Sequence, residues 1–491
     1  MVRRYAVVFI ILAFLAMLFL PVTNCDSTGW FKTLGLSGND FARFILLDNG
    51  KIFVYGRSYS AGSGGGYEGF IALLEPNSSV IWQKHIQSTD GGEVRFLAAL
   101  NTSDGYYVGG DISVGNDVTD ALLVKFDKSG RLLWAKKMSI NTYNVEYVKA
   151  IFADENYIYL LINGKPWGYE VYFVKLNKTD LSLEQIAQYY SEAWNRDRDD
   201  VVHKAFLKNG VIYAVVRGEP YEGGSCIVFL EISTETGKIL KSRSYSYSTG
   251  YSIALLNETT RVFVGVSSNH PIVGLLNSDY RVIWVKYFNV TKGWASDVSV
   301  DREGNIYVIG SADVYGSGFY DTFIAKVSSK GNLIWFKTVG GSNNDYGSQI
   351  VVFNTNGYVA SGHTRTFTYA GDEGTYSDFF ILADMGNYIG NLEWINNDYG
   401  ENVTLNTIYD VTLINTHLSW ESYYLSWYVP TIEFADVNLE VSDSALEEHL
   451  ATPNQEEPVP IPIPETLYTA LVIVIIITAT IALRKRPRIF K

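Results

Sequence analysis

Ile283-Trp284-Val285-Lys286 is followed by Asp297-Val298-Ser299-Val300-Asp301, Gly304-Asn305-Ile306-Tyr307-Val308-Ile309-Gly310, Asp321-Thr322-Phe323-Ile324-Ala325-Lys326, Gly331 and Trp335-Phe336-Lys337. This order recurs along the chain. Trp-x-Lys stands at Trp30, Trp82, Trp134, Trp284 and Trp335, with a further tryptophan at Trp394. The steps between the first five are 52, 52, 150 and 51 residues, read from those positions. The step of 150 has room for two worn copies, marked by Lys208-Asn209-Gly210-Val211-Ile212-Tyr213 and Arg261-Val262-Phe263-Val264-Gly265. A period near fifty, filled with four short apolar runs between turn residues, is the pattern of propeller blades.

In the first copy the four runs are Phe41 to Leu47 (A), Lys51 to Gly56 (B), Phe70 to Leu74 (C) and Val80 to His85 (D). Runs A and C are almost continuously apolar, where a half-exposed strand would alternate, so both of their faces are expected to be buried between stacked blades. Blades splay apart with distance from the axis, and a large side chain must fill the wedge at the rim. Trp82 can do this, and Lys84, on the same face of the strand, can lay its stem along the ring. Trp30, Trp82, Trp134, Trp284 and Trp335 are therefore read as structural. A and B join through Asp48-Asn49-Gly50, Ser103-Asp104-Gly105, Lys208-Asn209-Gly210 and Thr355-Asn356-Gly357. Asn-Gly and Asp-Gly supply the positive backbone angles of tight hairpins. A Ca2+ reading of Asp301-Arg302-Glu303-Gly304-Asn305 lacks the alternating acids of a calcium loop, which leaves a turn.

These copies resemble the SBBP β-propeller repeat of bacterial and archaeal surface proteins, which pairs an Asp-x-x-Gly-Asn-x-Tyr-Val-x-Gly stretch with an Asp-x-Phe-x-x-Lys stretch. Asp301 to Gly310 and Asp321 to Lys326 carry both, and Asp378-Phe379-Phe380-Ile381 carries part of the second. The resemblance implies an all-β propeller over residues 29–396 and a place at the cell surface, without any particular chemistry. Seven A-B-C sets are recognisable against eight candidate D strands. Seven blades are expected, with residues 397–441 as a small β extension. The alternative is an eighth, degenerate blade from Ile408 to Val441, closed by the Trp30 strand.

The chain's ends predict its placement. Met1-Val2-Arg3-Arg4, the apolar run Tyr5 to Leu20, and then Pro21 and small polar residues form the order of a secretory signal, assigned to residues 1–25. Residues 467–483 carry no charge and would reach about 25 Å as a helix, at the low end of what spans a bilayer. Residues 484–491 are basic, which predicts a cytoplasmic C-terminus and an extracellular propeller on a single-pass anchor. Residues 442–465, with five prolines from Pro453 to Pro464 and acids such as Glu447 and Glu456, read as an extended stalk. Val459-Pro460-Ile461-Pro462-Ile463-Pro464, the apolar run and the basic tail resemble the archaeal Val-Pro-x-x-x-Pro sorting signals. That resemblance implies a tail cut off and replaced by lipid, while the residues themselves fit permanent anchoring equally.

With 47% hydrophobic and 19% charged residues the chain is globular, and 35 tyrosines, 11 tryptophans and 43 glycines tilt it toward β structure. Cys25 falls at the signal junction and leaves Cys226 alone, so no disulfide framework is expected. A formal net charge of -13 argues against nucleic acid as a partner. It suits a solvated exterior that attracts cations.

Strand order in a blade places A-B and C-D turns on one face and the longer B-C and D-A loops on the other. These are residues 57–68, 112–119, 164–170, 190–200, 313–320 and 363–377. Loops on a rigid scaffold carry binding, so a glycan or protein ligand is expected on this second face near the central channel. Sequons at Asn77, Asn101, Asn177, Asn257, Asn289 and Asn402 are candidate glycosylation sites, four of them on the tight-turn face. The six histidines show no metal-ligand spacing, Gly62 to Gly66 opens no helix, and no Gly-x-Ser-x-Gly elbow occurs. Arg196 to Asp200 form the densest charge run, after a candidate helix from Ser182 to Trp194, and read as a solvated loop. No catalytic, cofactor or metal residue is therefore assigned. The expectation is a non-catalytic surface protein for binding, adhesion or envelope structure. The alternative is a propeller enzyme at the channel mouth, either a quinone-dependent dehydrogenase or a carbohydrate-active hydrolase or lyase.

Overall fold

A computed structural model describes residues 30–35, most of 41–385 and six short strands between Leu405 and His449. The segments read as signal, spanning helix and tail, most of the proposed stalk, Trp394 and Asn402 lie outside the described residues. Among those described, no helix is long and apolar enough to cross a membrane.

Seven four-stranded antiparallel sheets follow one another along the chain. In the sixth, Lys292–Val300, Ile306–Asp313, Asp321–Val327 and Leu333–Val339 pair in sequence order from the axis outward. The seventh takes Asp345–Val352, Gly357–Thr364 and Asp378–Met385 from the end of the repeat region and its outer strand, Trp30–Gly35, from the beginning. Trp30 opposes Ala383 and Leu34 opposes Phe379, so one sheet joins the two ends of the propeller. That use of the Trp30 strand excludes an eighth blade. The worn copies are the third and fourth blades, and the stretch from Arg261 belongs to the fifth, which ends in the Trp284 strand.

The segment expected as a β extension forms no sheet of its own among the described residues. Leu405–Thr407, Leu413–Ile414, Trp420–Glu421, Ala435–Asp436, Leu439–Ser442 and Glu447–His449 add as fifth strands to the outer edges of blades five, four, three, two, one and seven. Each D strand is a sheet edge with unpaired backbone groups, and these pairings satisfy part of it. The last two strands reach into the proposed stalk.

Burial follows radial position. B and C strands are buried on both faces, as in Ile306–Asp313, where every residue is buried. The A strands differ from the expectation of two buried faces: Asp345–Val352 alternates buried and half-buried along its first part. The reason is position, since A strands are innermost and one of their faces lines the axial channel. Leu183–Tyr189, inside the candidate helix, is the D strand of blade three, and its Ala187 and Tyr189 are buried. The open edge of the C strand requires a partner, and this tertiary demand overrides the local helical pattern.

At the rim, blades one, three, four and five each reach across to the C-D turn of the next. Trp82 Nε1 donates to Lys128 O at 3.1 Å and Trp284 Nε1 donates to Ser329 O at 3.2 Å. Gly130 lies under the Trp82 ring with φ +80, where a Cβ would stand 2.9 Å from the indole. Blades three and four have no tryptophan there. Gln185 Nε2 donates to Thr236 O at 2.5 Å and Lys241 Nζ donates to Ser278 O at 2.8 Å, keeping the same bond with a smaller wedge.

Candidate functional site

The repeat's most distinctive residues meet on the tight-turn face. Asp301 Oδ1 accepts from the backbone N–H groups of Glu303 and Asn305 at 2.9 and 2.8 Å, and its other oxygen accepts from Asn305 Nδ2 at 2.8 Å. Lys326, opposite Tyr307 in the next strand, places its ammonium 4.8 Å from that ring and 3.5 Å from Asp301. Blade two repeats the arrangement with Asp104, Tyr107 and Lys125. The motif thus closes turns and buries lysines over tyrosines. The Asp301 oxygens are used by the turn, and no metal-ligating cluster occurs among the described residues.

Sequon geometry separates the asparagines. Asn77 and Asn257 are exposed at turns, Asn177 is half-buried at another, and Asn289 is exposed on the opposite face. Asn101 differs, because its Nδ2 donates to Asp48 Oδ1 at 3.0 Å while its oxygen accepts from Lys128. The atom a glycan would need is committed there. Burial pushes the Asp48 carboxyl up, but the Lys128, Tyr106 and Asn101 side chains outweigh it and hold it below the ordinary carboxylate range.

The channel mouth lies on the other face, at the start of the A strands. In blades two to seven, each A strand carries a β-bulge at the same place, leaving one unpaired residue: Leu97, Lys149, His203, Tyr251, Ser296 or Ser348. Bulges re-aim side chains. Here all six residues line the mouth, around cavities of about 430 and 310 Å³ that share Phe44. Outside the bulges, Trp294 stacks with Tyr346 at 5.8 Å and 21°, and Tyr346 lies 4.7 Å from His363, which meets Phe41 edge-on at 5.4 Å. Blades six, seven and one thus share an aromatic arc. Arg57 continues it, 4.9 Å from the Phe41 centroid and 4.1 Å from that of Tyr67.

A single carboxylate stands in this described lining. Asp297 is 3% exposed, and Ser252 Oγ donates to its Oδ1 at 2.6 Å while Ile350 N and Lys204 Nζ donate to its Oδ2 at 3.1 and 3.5 Å. It joins blades four to seven. Gln349, one repeat on, accepts from Ile45 N at 2.8 Å and continues the stitching from blade seven to blade one. Besides Lys204, which pairs with Asp297, the lining holds the cations Lys149, Arg57 and Arg95, the last paired with Asp111. Burial, then the charges of Lys149 and Arg217, depress the His203 pKa to about 3. Its imidazole is neutral, and Nε2 is buried without a hydrogen-bond partner.

A second buried group stands apart from the mouth. Asp321 opens the C strand of blade six with one carboxyl oxygen buried and unpartnered. At the matching position Glu68 faces His85 at 3.2 Å and Asp120 faces Lys137 at 3.0 Å, but blade six has Thr338 in place of a base. Burial, then the nearby Asp345 and Asp313, push Asp321 up to about 7. A carboxyl raised in the folded state holds its proton where the unfolded chain has lost it, so it lowers stability as pH rises from about 4 through 7. Asp321→Asn is expected to raise the melting temperature at pH 8 by about 2–4 °C per kcal/mol relieved. At pH 4 the shift should be much smaller, and equal shifts in paired thermal melts would contradict this account.

Sequence reasoning expected a ligand on this face, and of these lining residues only Arg57 and His363 fall within the loops it named. The loops it named there, including residues 190–200 with the Arg196 to Asp200 run, lie largely outside the described residues. The A-strand starts carry most of the lining instead, and the sequence signal there was confined to Lys149 and His203, basic residues interrupting apolar runs, while Leu97, Ser296 and Ser348 carried none.

The architecture defines a seven-bladed, all-β propeller with its strands in antiparallel four-stranded blades. Residues 283–316, from the outer strand of blade five into blade six, match the beta-propeller repeat family SBBP. No curated protein matches the chain in sequence. Among solved structures it is similar to a europium-containing methanol dehydrogenase at 9% identity and TM-score 0.47, covering 74% of this chain and 94% of that one. It is also similar to the WD40 propeller domain of Doa1 at 8% identity and TM-score 0.42, covering 72% and 96%. A third is a quinohemoprotein alcohol dehydrogenase from Comamonas testosteroni, at 9% identity and TM-score 0.42, covering 73% and 76%.

Proposed function

We infer that the chain is a surface-displayed binding protein, held at the membrane by its C-terminal apolar segment, with its ligand seated at the channel mouth on the B-C and D-A face. The observation that carries this reading is the set of bulged A strands, which direct side chains from six successive blades into one concave site on a rigid scaffold. The signal-like N-terminus and the basic tail supply the outward orientation. Glycans at exposed sequons of the tight-turn face would leave this mouth uncovered. Asp297 has its oxygens occupied by neighbouring blades, so the dehydrogenase alternative, which needs converging free acids at the channel, gains no support from the described lining. Arrays of glycans and peptides probed with the full chain test the reading. Retention of a ligand that Trp294→Ala releases is expected, and retention unaffected by that change would place binding elsewhere.

A further inference from the structure

Resting on the outward placement read above, we propose that Asn77 and Asn257 each accept one N-linked saccharide from a lipid-pyrophosphate-linked donor, while Asn101 and Asn289 stay bare once the propeller has folded. Asn77 and Asn257 stand exposed on the tight-turn face, in the C-D turn of blade one and the A-B turn of blade five. In each, the sequon's own hydroxyl closes on the amide oxygen. Ser79 Oγ donates to Asn77 Oδ1 at 2.7 Å, and Thr259 Oγ1 donates to Asn257 Oδ1 at 3.0 Å. The backbone N–H groups of the same two residues add bonds of 3.1 and 2.9 Å to those oxygens. The oxygen alone holds each amide, and neither Nδ2 has a hydrogen-bond partner among the described residues.

Turn closure does not explain these amides. In blade two Asp127 fills the place of Asn77, and its Oδ1 accepts from Ser129 N at 2.9 Å and from Ser129 Oγ at 2.6 Å. A carboxylate closes the same turn, so Nδ2 of Asn77 has no part in closing it. Hydroxyl donation to Oδ1 draws electron density from the amide and makes the Nδ2 proton easier to remove. In the transfer, Nδ2 forms a bond to the anomeric carbon and the bond from that carbon to the pyrophosphate oxygen breaks. The lipid pyrophosphate leaves with the electron pair, and a base of the transferase takes the proton. The other described sequons lack this geometry. Asn101 Nδ2 donates to Asp48 Oδ1 at 3.0 Å and to Leu47 O at 3.3 Å. Beside Asn289, the Thr291 N–H is given to Asp313 O at 3.0 Å, and the intervening Val290 is 4% exposed. Asn177 keeps the backbone bond alone, from Thr179 N at 2.9 Å, and is half-buried. The saccharides therefore stand on the tight-turn face and leave the mouth face bare.

The folded full chain, purified in detergent, is incubated with a single-subunit oligosaccharyltransferase and lipid-pyrophosphate-linked chitobiose, and glycopeptide mass spectrometry follows the occupancy of each sequon. Initial transfer to Asn77 and Asn257 is expected to exceed transfer to Asn101 and Asn289 by about tenfold or more, the factor that one hydrogen bond supplies. Asn177 should fall between. In a peptide digest of the same chain the Asn101 and Asn289 sequons should become acceptors, because the bonds that withhold them join distant strands. Asn101 or Asn289 modified as fast as Asn77 in the folded chain would overturn the proposal, and so would Asn77 and Asn257 left bare. Sparing of Asn101 and Asn289 in the digest would overturn it too, since the fold would then not be what withholds them. The transferase is supplied from outside, so none of these failures touches the reading of the mouth, which the arrays and Trp294→Ala test separately.

Discussion

Asp297→Ala is expected to destabilise the propeller by about 3–5 kcal/mol, because it removes a buried carboxylate from three donors at once. Those donors are the Ser252 hydroxyl, the Ile350 backbone N–H and the Lys204 ammonium, each from a different blade. The backbone donor matters most. The innermost strands have no strand on their channel side, so side chains of the preceding blade satisfy their N–H groups. Asp297→Asn keeps one oxygen for Ile350 and should cost less than the alanine change. Urea unfolding of the two variants decides it: an alanine cost below about 1 kcal/mol would show that the stitch carries little.

Trp82→Ala should be the next largest loss, at about 3 kcal/mol, the low end for a tryptophan because the ring is only partly buried. The indole packs edge-on to Phe53 at 6.0 Å and to Tyr106 at 6.1 Å, and covers Gly130 of the next blade. Trp82→Gln imitates blade three, where Gln185 keeps the hydrogen bond without the ring. It should recover part of the loss. Equal costs for both variants would mean that the bond contributes nothing, and a cost near zero for either would refute the wedge. Gly130→Ala offers the reciprocal view, since it meets the same ring and a positive φ.

The comparison of blades shows why some of this was legible in the sequence. Trp-x-Lys, Asn-Gly and the Asp, Tyr and Lys of the repeat are read from residue type alone, since each answers a local need: a rim wedge, a positive φ, a buried ammonium over a ring. Blades three and four faded because Gln185 and Lys241 meet the rim's hydrogen-bonding need without its signature residue. Leu183–Tyr189 looked helical because its partner strand lies outside any local window. The mouth was the least legible part. A bulge is a relation between two strands, so the residue it turns into the channel cannot be recognised from its own strand.

The sequence by itself determined the repeat, its all-β character, the tight-turn face and the rim, because these follow from periodicity and local backbone preference. Tertiary structure alone decided the number of blades, through the pairing of Trp30–Gly35 with Asp378–Met385. It alone decided which side chains share the channel. Ring closure and strand register bring together residues tens to hundreds of positions apart, and no local preference records such contacts.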